Sequence, residues 1–199
     1  MTKSMDFIFD FGSPNAYLAG KILPAIAART GATVNYIPAL LGGIFKATSN
    51  QSPMQAFANV KGKMDYERLE MMRFIRKHAI PFRMNPHFPV NTLAIMRGYV
   101  AAQTLGVAPA YYEAVYAAMW ERGLKMDDPA VIAEVLTEAG LDAAAILAAS
   151  QTPEVKQKLV ENTEAAVARG VFGAPTFFVG KEMFFGKERL GQVEEALSA

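Results

Sequence analysis

The amino-acid sequence, 199 residues long, contains no cysteine. This absence excludes disulfide bonds, metal sites with thiolate ligands and any reaction in which a thiol of the protein is the nucleophile. It also excludes a thiol–disulfide oxidoreductase, because such an enzyme needs two redox-active cysteines. Any sulfur chemistry in this protein must therefore use a thiol supplied by a small molecule.

The sequence also has few histidines and a small net charge. The two histidines, His78 and His87, are not spaced like a metal-ligand set or a two-histidine relay. The 20 basic and 19 acidic residues leave a formal net charge of +1, so no broad electrostatic attraction to nucleic acid is expected. We predict that the protein holds no metal and that its partners are small molecules rather than nucleic acids.

No long hydrophobic run is present, although 52% of the residues are hydrophobic. No window approaches the ~18 consecutive apolar residues that a membrane-spanning helix needs. The first residues, MTKSMDFIFDFGSP, lack the apolar stretch and the small-residue cleavage site of a secretory signal. We therefore expect a cytoplasmic protein that does not associate with membranes.

The first forty residues predict a strand, a helix and a second strand. Residues 5–11 alternate apolar and acidic side chains and then meet Gly12-Ser13-Pro14, which indicates a strand followed by a turn. Apolar residues at helical spacing continue from Pro14 to about Thr30, and residues 32–38 form the next strand. A connection of this length predicts a parallel βαβ unit.

From residue 40 to about 169 the pattern is helical, with predicted helices at 66–78, 91–105, 109–121, 129–139 and 153–169 and a proline-rich loop at 82–89. The last thirty residues predict an antiparallel hairpin, 176–179 and 182–185, and a short helix at 188–197. Periodicity alone predicts only an α/β protein. The order βαβ, helices, ββα is that of a thioredoxin-like domain, residues 1–39 and 170–199, interrupted by an all-helical insertion, residues 40–169.

Ser13 has two interpretations. Serine is among the commonest helix N-caps, and a purely structural cap explains it on spacing alone. The same position can serve chemistry, because a helix start and a hydroxyl both stabilise a thiolate bound there. A general-base role is less credible, since no histidine lies near Ser13 in the sequence.

Ala174-Pro175, just before a predicted strand, is a candidate cis peptide bond. Only about one X–Pro bond in twenty is cis in folded proteins, so in isolation an ordinary trans proline is favoured. A cis bond would expose the backbone N–H and C=O of Ala174, which could then pair with an extended peptide. Glutathione is such a peptide.

Two polar patches could bind the charged ends of a peptide. Asn50, Lys61 and Lys63 lie in a polar stretch between predicted helices, where solvated surface is the favoured explanation on the pattern alone. The other patch, residues 186–189, precedes the last helix, where Glu188 is also explained as favourable first-turn charge.

Four segments, in this order, together resemble one enzyme family. They are FDFGSP at 9–14 followed by YL at 17–18, LLGGI at 40–44, FGAPTF at 172–177 and FGKERL at 185–190. The chain is similar over nearly its whole length to the 2-hydroxychromene-2-carboxylate isomerases and their relatives, the kappa-class glutathione transferases. The resemblance implies a DsbA-like architecture, a thioredoxin domain with an inserted helical domain, and a homodimer.

The resemblance also implies a glutathione site. Ser13 would contact the glutathione sulfur, and Ala174, ahead of a cis Pro175, would pair with the cysteinyl backbone. Asn50 matches the asparagine that follows the LLGGI segment, and Lys61 matches a lysine near the glycyl end.

At the γ-glutamyl end the sequence departs from the family. Glu188 and Arg189 occupy the places where relatives usually have Asp-Arg, and Gly186, two residues before Glu188, is a further candidate for binding glutathione. Glu188 is one methylene longer than aspartate, and Lys187 stands where relatives tend to have a small or neutral residue. These differences concern the binding of the γ-glutamyl group and not the thiolate site.

The reaction implied by the resemblance opens a cyclic hemiketal from aromatic degradation and yields the trans-benzylidenepyruvate, with glutathione acting catalytically. Phe45, Phe57 and Tyr66 are candidates for an apolar wall against the aromatic substrate, although such residues more often belong to the core. Two alternatives stay open at this point: a kappa-like transferase or peroxidase that consumes glutathione, and a non-catalytic module that binds glutathione or a peptide.

Overall fold

A four-stranded sheet, in the order β2-β1-β3-β4, is the centre of the computed structural model, which describes residues 3–199. The strands are β1 (Ser4–Phe9), β2 (Thr33–Pro38), β3 (Thr176–Val179) and β4 (Glu182–Phe185). Strand β1 pairs in parallel with β2 and antiparallel with β3, and β3 pairs antiparallel with β4. The βαβ unit and the hairpin predicted from the sequence are both confirmed.

Eleven α-helices surround this sheet in the described residues, most of them between β2 and β3. They are α1 (Pro14–Gly20), α2 (Leu23–Thr30), α3 (Leu41–Thr48), α4 (Pro53–Ala56), α5 (Lys63–His78), α6 (Leu93–Thr104), α7 (Ala108–Ala117), α8 (Pro129–Glu138), α9 (Ala143–Ala149), α10 (Pro153–Ala168) and α11 (Leu190–Ser198). A π-helical turn, Ala118–Arg122, continues α7, and a 3₁₀ turn, Lys187–Arg189, precedes α11. The architecture is the predicted DsbA-like α/β fold with inserted helices.

The prediction of one helix from Pro14 to Thr30 is wrong, because the structure has two helices there. Helix α1 ends at Gly20 and α2 begins at Leu23. Pro24 is the physical reason: it has no N–H to donate to the carbonyl of Gly20, and its ring would clash with that carbonyl. A proline in the first turn of a new helix is well tolerated.

The core packs on both faces of the sheet. On one face, Phe7 and Phe9 of β1 and Phe177 of β3 belong to the main cluster of buried side chains, which extends into α6 and α7. On the other face, Ile8 and Phe178 pack in a smaller cluster with side chains of α3 and α10. Strand β1 is therefore buried on both faces, and the residues that follow it start from a fixed position.

No helix in residues 3–199 is long and apolar enough to cross a membrane.

Candidate functional site

Asp10 organises the turn that follows β1. Its carboxylate is 1% exposed and accepts hydrogen bonds from the backbone N–H of Gly12 and of Leu41, both at 2.8 Å. Burial raises the pKa of Asp10, while the two backbone hydrogen bonds and one from the side chain of Thr92 act against that rise. The side chain thus ties the end of β1 to its own turn and to the start of α3.

Two side chains of the helical segment hold the backbone of the same turn. The Tyr116 hydroxyl donates to the carbonyl of Asp10 at 3.3 Å, and the Trp120 indole N–H donates to the carbonyl of Phe11 at 2.8 Å. Both aromatic side chains are buried. The carbonyl groups just before Ser13 are therefore satisfied inside the protein, which fixes the direction in which the chain enters α1.

Ser13 caps α1 and also contacts the opposite side of the site. Its Oγ accepts from the N–H of Ala16 at 3.1 Å, as an N-cap does, and donates to the carbonyl of Ala174 at 3.1 Å. The residue is 5% exposed. The capping and the chemical interpretations of Ser13 are therefore compatible, since one lone pair serves the helix and the proton faces the Ala174 turn.

The first turn of α1 offers fewer backbone donors than its position suggests. Pro14 has no N–H, and the N–H of Ala16 is already bonded to Ser13. Of the three residues after Ser13, Asn15 is left with a backbone N–H that these interactions do not use. The sequence suggested that the helix start and the Ser13 hydroxyl would both stabilise a bound thiolate. Because most N–H groups of this turn are missing or already bonded, the hydroxyl is the more important of the two donors.

The Ala174–Pro175 peptide bond is cis. The family resemblance implied this geometry, whereas the proline considered in isolation favoured a trans bond. The carbonyl of Pro175 accepts from the backbone N–H of Gly186 at 2.9 Å. This bond places the turn before the 3₁₀ segment directly beside the proline. A second cis bond, Phe88–Pro89, was not predicted.

Asn50 lies at the end of α3, and its side-chain amide donates to the carbonyl of Phe172 at 2.8 Å, two residues before Ala174. Lys61 is exposed in the loop before α5, and no hydrogen bond or ion pair within residues 3–199 connects it to this group. The structure therefore brings Ser13, Asn50, Ala174-Pro175 and Gly186 into one region and leaves Lys61 unconnected to them.

The residues expected at the γ-glutamyl end form an internal pair. The Lys187 side chain is only 3% exposed, and its ammonium forms an ion pair with the carboxylate of Glu188, which is 54% exposed. The same ammonium lies 5.6 Å from the centroid of the Phe74 ring. Arg189 is exposed. Lys187 and Glu188, the two residues that differ from those usual in the family, therefore contact each other.

The three candidate wall residues lie outside the clusters of buried side chains. Phe45 and Phe57 are partly exposed, and Tyr66 is 53% exposed. Lys63 lies 5.2 Å from the centroid of the Phe57 ring and forms an ion pair with Glu67 on its own helix. The alternative explanation, that these aromatic residues are core, is wrong.

Asp10 is the site residue that the sequence argument missed. An acidic residue at the end of a strand buried on both faces, directly before a Gly-Ser-Pro turn, is unusual, because a buried carboxylate is costly unless it accepts hydrogen bonds. That position could have indicated a carboxylate that organises the turn.

Comparisons with known proteins agree with this geometry. Residues 4–198 match the DSBA-like thioredoxin domain family. The chain is 31% identical to 2-hydroxychromene-2-carboxylate isomerase of Pseudomonas putida, with 97% of this chain and 93% of that protein aligned. It is 26% identical to glutathione S-transferase kappa 1 of Homo sapiens, over 96% and 88% of the two chains.

A solved structure of a 2-hydroxychromene-2-carboxylate isomerase, 31% identical in sequence, superposes with a TM-score of 0.85 over 98% of this chain and 94% of that one. Family, length and fold thus agree, and the resemblance carried by the four sequence segments is confirmed. The chain belongs to the 2-hydroxychromene-2-carboxylate isomerase family, within the DSBA-like thioredoxin proteins.

Proposed function

We propose that this protein is a glutathione-dependent isomerase that acts on 2-hydroxychromene-2-carboxylate or a similar aromatic degradation intermediate. The observation that carries the proposal is the buried hydroxyl of Ser13, which faces the carbonyl of Ala174 in a chain without cysteine. The relatives named as isomerases support the reaction type. The relatives named as glutathione transferases support the choice of thiol.

The donor set fits glutathione, which carries one thiol, two carboxylates and one ammonium. The hydroxyl of Ser13 suits a sulfur anion, and the backbone of Ala174, ahead of Pro175, suits the cysteinyl peptide unit. Lys61 and Arg189, both exposed, can bind carboxylates, and Glu188 can bind the ammonium by exchanging its ion pair with Lys187. Asn50 and the backbone of Gly186 lie next to the Ala174 turn, where further polar groups of a peptide can bind.

Bound glutathione would supply a thiolate that adds to the conjugated carbon of the ring-opened substrate, so that the electron pair of the C=C bond moves onto the ketone oxygen; rotation about the resulting single bond and return of that pair would expel the thiolate unchanged. The contribution of Ser13 is to hold that anion. The hydroxyl has one proton, so donating it to sulfur means giving up the bond to the carbonyl of Ala174. This exchange is favourable, because a hydrogen bond to an anion is roughly twice as strong as one between neutral groups.

The held thiolate matters because a free thiol, with a pKa of about 8.5, is mostly protonated at neutral pH. Asp10, Tyr116 and Trp120 act indirectly. They fix the backbone before Ser13, so the hydroxyl is in place before the anion forms and little reorganisation is needed during the reaction.

The test of the proposal is an isomerisation assay in which glutathione is present far below the substrate concentration. We expect the ultraviolet absorption of 2-hydroxychromene-2-carboxylate to disappear over many turnovers, and all of the glutathione to be recovered as free thiol. Activity without glutathione would contradict the proposal. Consumption of glutathione, one per substrate for a kappa-like transferase and two for a peroxidase, would instead identify one of those enzymes. Glutathione binding without turnover would identify a non-catalytic module.

Two further parts of the proposal concern the assembly and its location. We propose a homodimer, which light scattering during size-exclusion chromatography would test. The exposed apolar side chains of Met183 and Phe185, on the edge strand β4, are compatible with a covered surface. Cytoplasmic location stays a prediction from the sequence.

A further inference from the structure

A cavity of about 450 Å³ lies between helices α3, α6 and α10. Its wall is mainly aliphatic, with side chains that include Leu40 of the β2–α3 connection, Leu93 of α6, and Leu159, Val160 and Val167 of α10. Cavities of roughly 300–1,000 Å³ with an apolar wall and a few polar groups are typical sites for small molecules. The cavity is not lined by any residue of the thiol site, as we call the group Ser13, Asn50, Ala174, Pro175 and Gly186.

Three charged side chains line the same cavity: Arg97 of α6, and Lys156 and Glu164 of α10. The Nε of Arg97 is buried and has no hydrogen-bond partner among residues 3–199. None of the ion pairs in the described part of the chain includes Arg97 or Lys156. A buried guanidinium N–H without an acceptor is costly, and arginine is the side chain best suited to a planar carboxylate.

The combination selects the class of ligand. The aliphatic wall favours an apolar body, and Arg97 with Lys156 favours one anionic group. The carboxylate of Glu164 in the same wall disfavours ligands with two or more negative charges, such as phosphates. We propose that this cavity is a second binding site, separate from the thiol site, for a small apolar monocarboxylate whose anionic group binds Arg97.

The cavity adjoins the framework of the thiol site without being part of it. The backbone N–H of Leu40, a cavity residue, donates to Thr163 Oγ1 at 3.0 Å, and the N–H of the next residue, Leu41, donates to Asp10. The two sites are nevertheless distinguishable by mutation, since Arg97 and Ser13 lie on different elements, Ser13 does not line the cavity, and no hydrogen bond within residues 3–199 joins the two side chains.

The test uses calorimetric titration of the full-length protein with 2-naphthoate and with its uncharged analogue 2-naphthalenemethanol, each in the presence of saturating glutathione. We expect saturable binding of 2-naphthoate and at least tenfold weaker binding of the alcohol. Arg97→Met should weaken 2-naphthoate binding at least tenfold and leave the alcohol nearly unaffected. Arg122→Met is the matched control, because this exposed arginine pairs with Glu138 outside the cavity, and it should leave both affinities unchanged.

Two further variants separate this inference from the proposed isomerase activity. Ser13→Ala should bind 2-naphthoate as the unchanged protein does, whatever its activity. Lys156→Met, a surface substitution, should weaken the binding several-fold and provides the reading if Arg97→Met does not fold. Equal affinity for acid and alcohol, or unchanged 2-naphthoate binding in the Arg97 and Lys156 variants, would overturn the proposal, and so would binding that depends on Ser13 instead of Arg97.

Discussion

The two ends of the candidate glutathione site are built in opposite ways. At the Ser13 end, Asp10 and Ser13 are buried, 1% and 5% exposed, and both make hydrogen bonds. At the other end, Glu188 and Arg189 are exposed, and the only buried charge, Lys187, is paired with Glu188. The first end is fixed by the fold, and the second depends on side chains that solvent reaches.

Because of this difference, we expect the two ends to contribute differently to the reaction and to the affinity for glutathione. A buried donor whose oxygen is already in position stabilises an anion with little reorganisation, here only the rotation of the Ser13 O–H away from Ala174, in surroundings of low polarity. Exposed charged side chains are screened and lose conformational freedom when they bind, so each contributes little. We therefore expect changes at the Ser13 end to affect stability and turnover, and changes at the Glu188 end to affect affinity.

The largest expected effect is that of Asp10→Ala. The change leaves the partly buried N–H groups of Gly12 and Leu41 without the acceptor that the buried Asp10 supplies, which should lower the free energy of unfolding by about 3 kcal/mol. Urea denaturation measures the loss. Asp128→Ala is the matched control, because Asp128 accepts a backbone N–H at an exposed helix start and should cost about 1 kcal/mol. Equal losses would show that burial does not distinguish the Ser13 end.

Ser13→Ala should have the next largest effect, on turnover. Losing one hydrogen bond to an anion corresponds to a decrease in kcat of about tenfold to a hundredfold, whereas the affinity for glutathione should change less than about threefold. Steady-state kinetics measures the change in kcat, and glutathione titration measures the change in affinity. Thr152→Ala, which removes the N-cap of α10, controls for the loss of a cap. A decrease in affinity as large as that in kcat would mean that Ser13 serves binding only.

A smaller effect should appear in the pH dependence of stability. Because burial raises the pKa of Asp10, the folded protein holds that proton more tightly than the unfolded chain does. The resulting contribution to stability is complete below a pH of about 4 and is lost as pH rises through the raised pKa. The free energy of unfolding, measured by urea denaturation for the unchanged protein minus Asp10→Asn, should therefore fall as pH rises from about 4. A rising difference would mean that the hydrogen bonds to Asp10 outweigh its desolvation.

The strands and the fold class were predictable because they rest on local patterns. Alternating side chains around residues 5–9 and the turn at Gly180 are visible in the sequence, and all four strands lie within two residues of their predicted positions. The break before Pro24 was missed because the apolar stripe continues across it. The division into residues 1–39 with 170–199 and residues 40–169 stays a prediction.

Site residues were predictable from the sequence only where a distinctive residue type stands at the end of a predicted helix or strand. Ser13 and Ala174-Pro175 stand at the ends of predicted elements, and the fold brings them within one hydrogen bond of each other. The position of Asp10 at the end of a buried strand could have indicated a carboxylate that organises the turn. Its partners were not visible, because they are mainly backbone N–H groups, one of them 31 residues away. The Lys187–Glu188 pair depends on the burial of one side chain next to an exposed one, and no sequence pattern encodes that.

The smallest expected effect belongs to the exposed end. Glu188→Gln should weaken glutathione binding only a few-fold and leave kcat unchanged, because its carboxylate is half exposed and already paired with Lys187. Lys187→Met should strengthen binding slightly, since it frees Glu188 for the ammonium of the γ-glutamyl group and replaces a buried charge with an apolar side chain of similar length. Glutathione titration of the two variants measures both changes. If Glu188→Gln lowers kcat as strongly as Ser13→Ala does, the division between a reaction end and an affinity end is wrong.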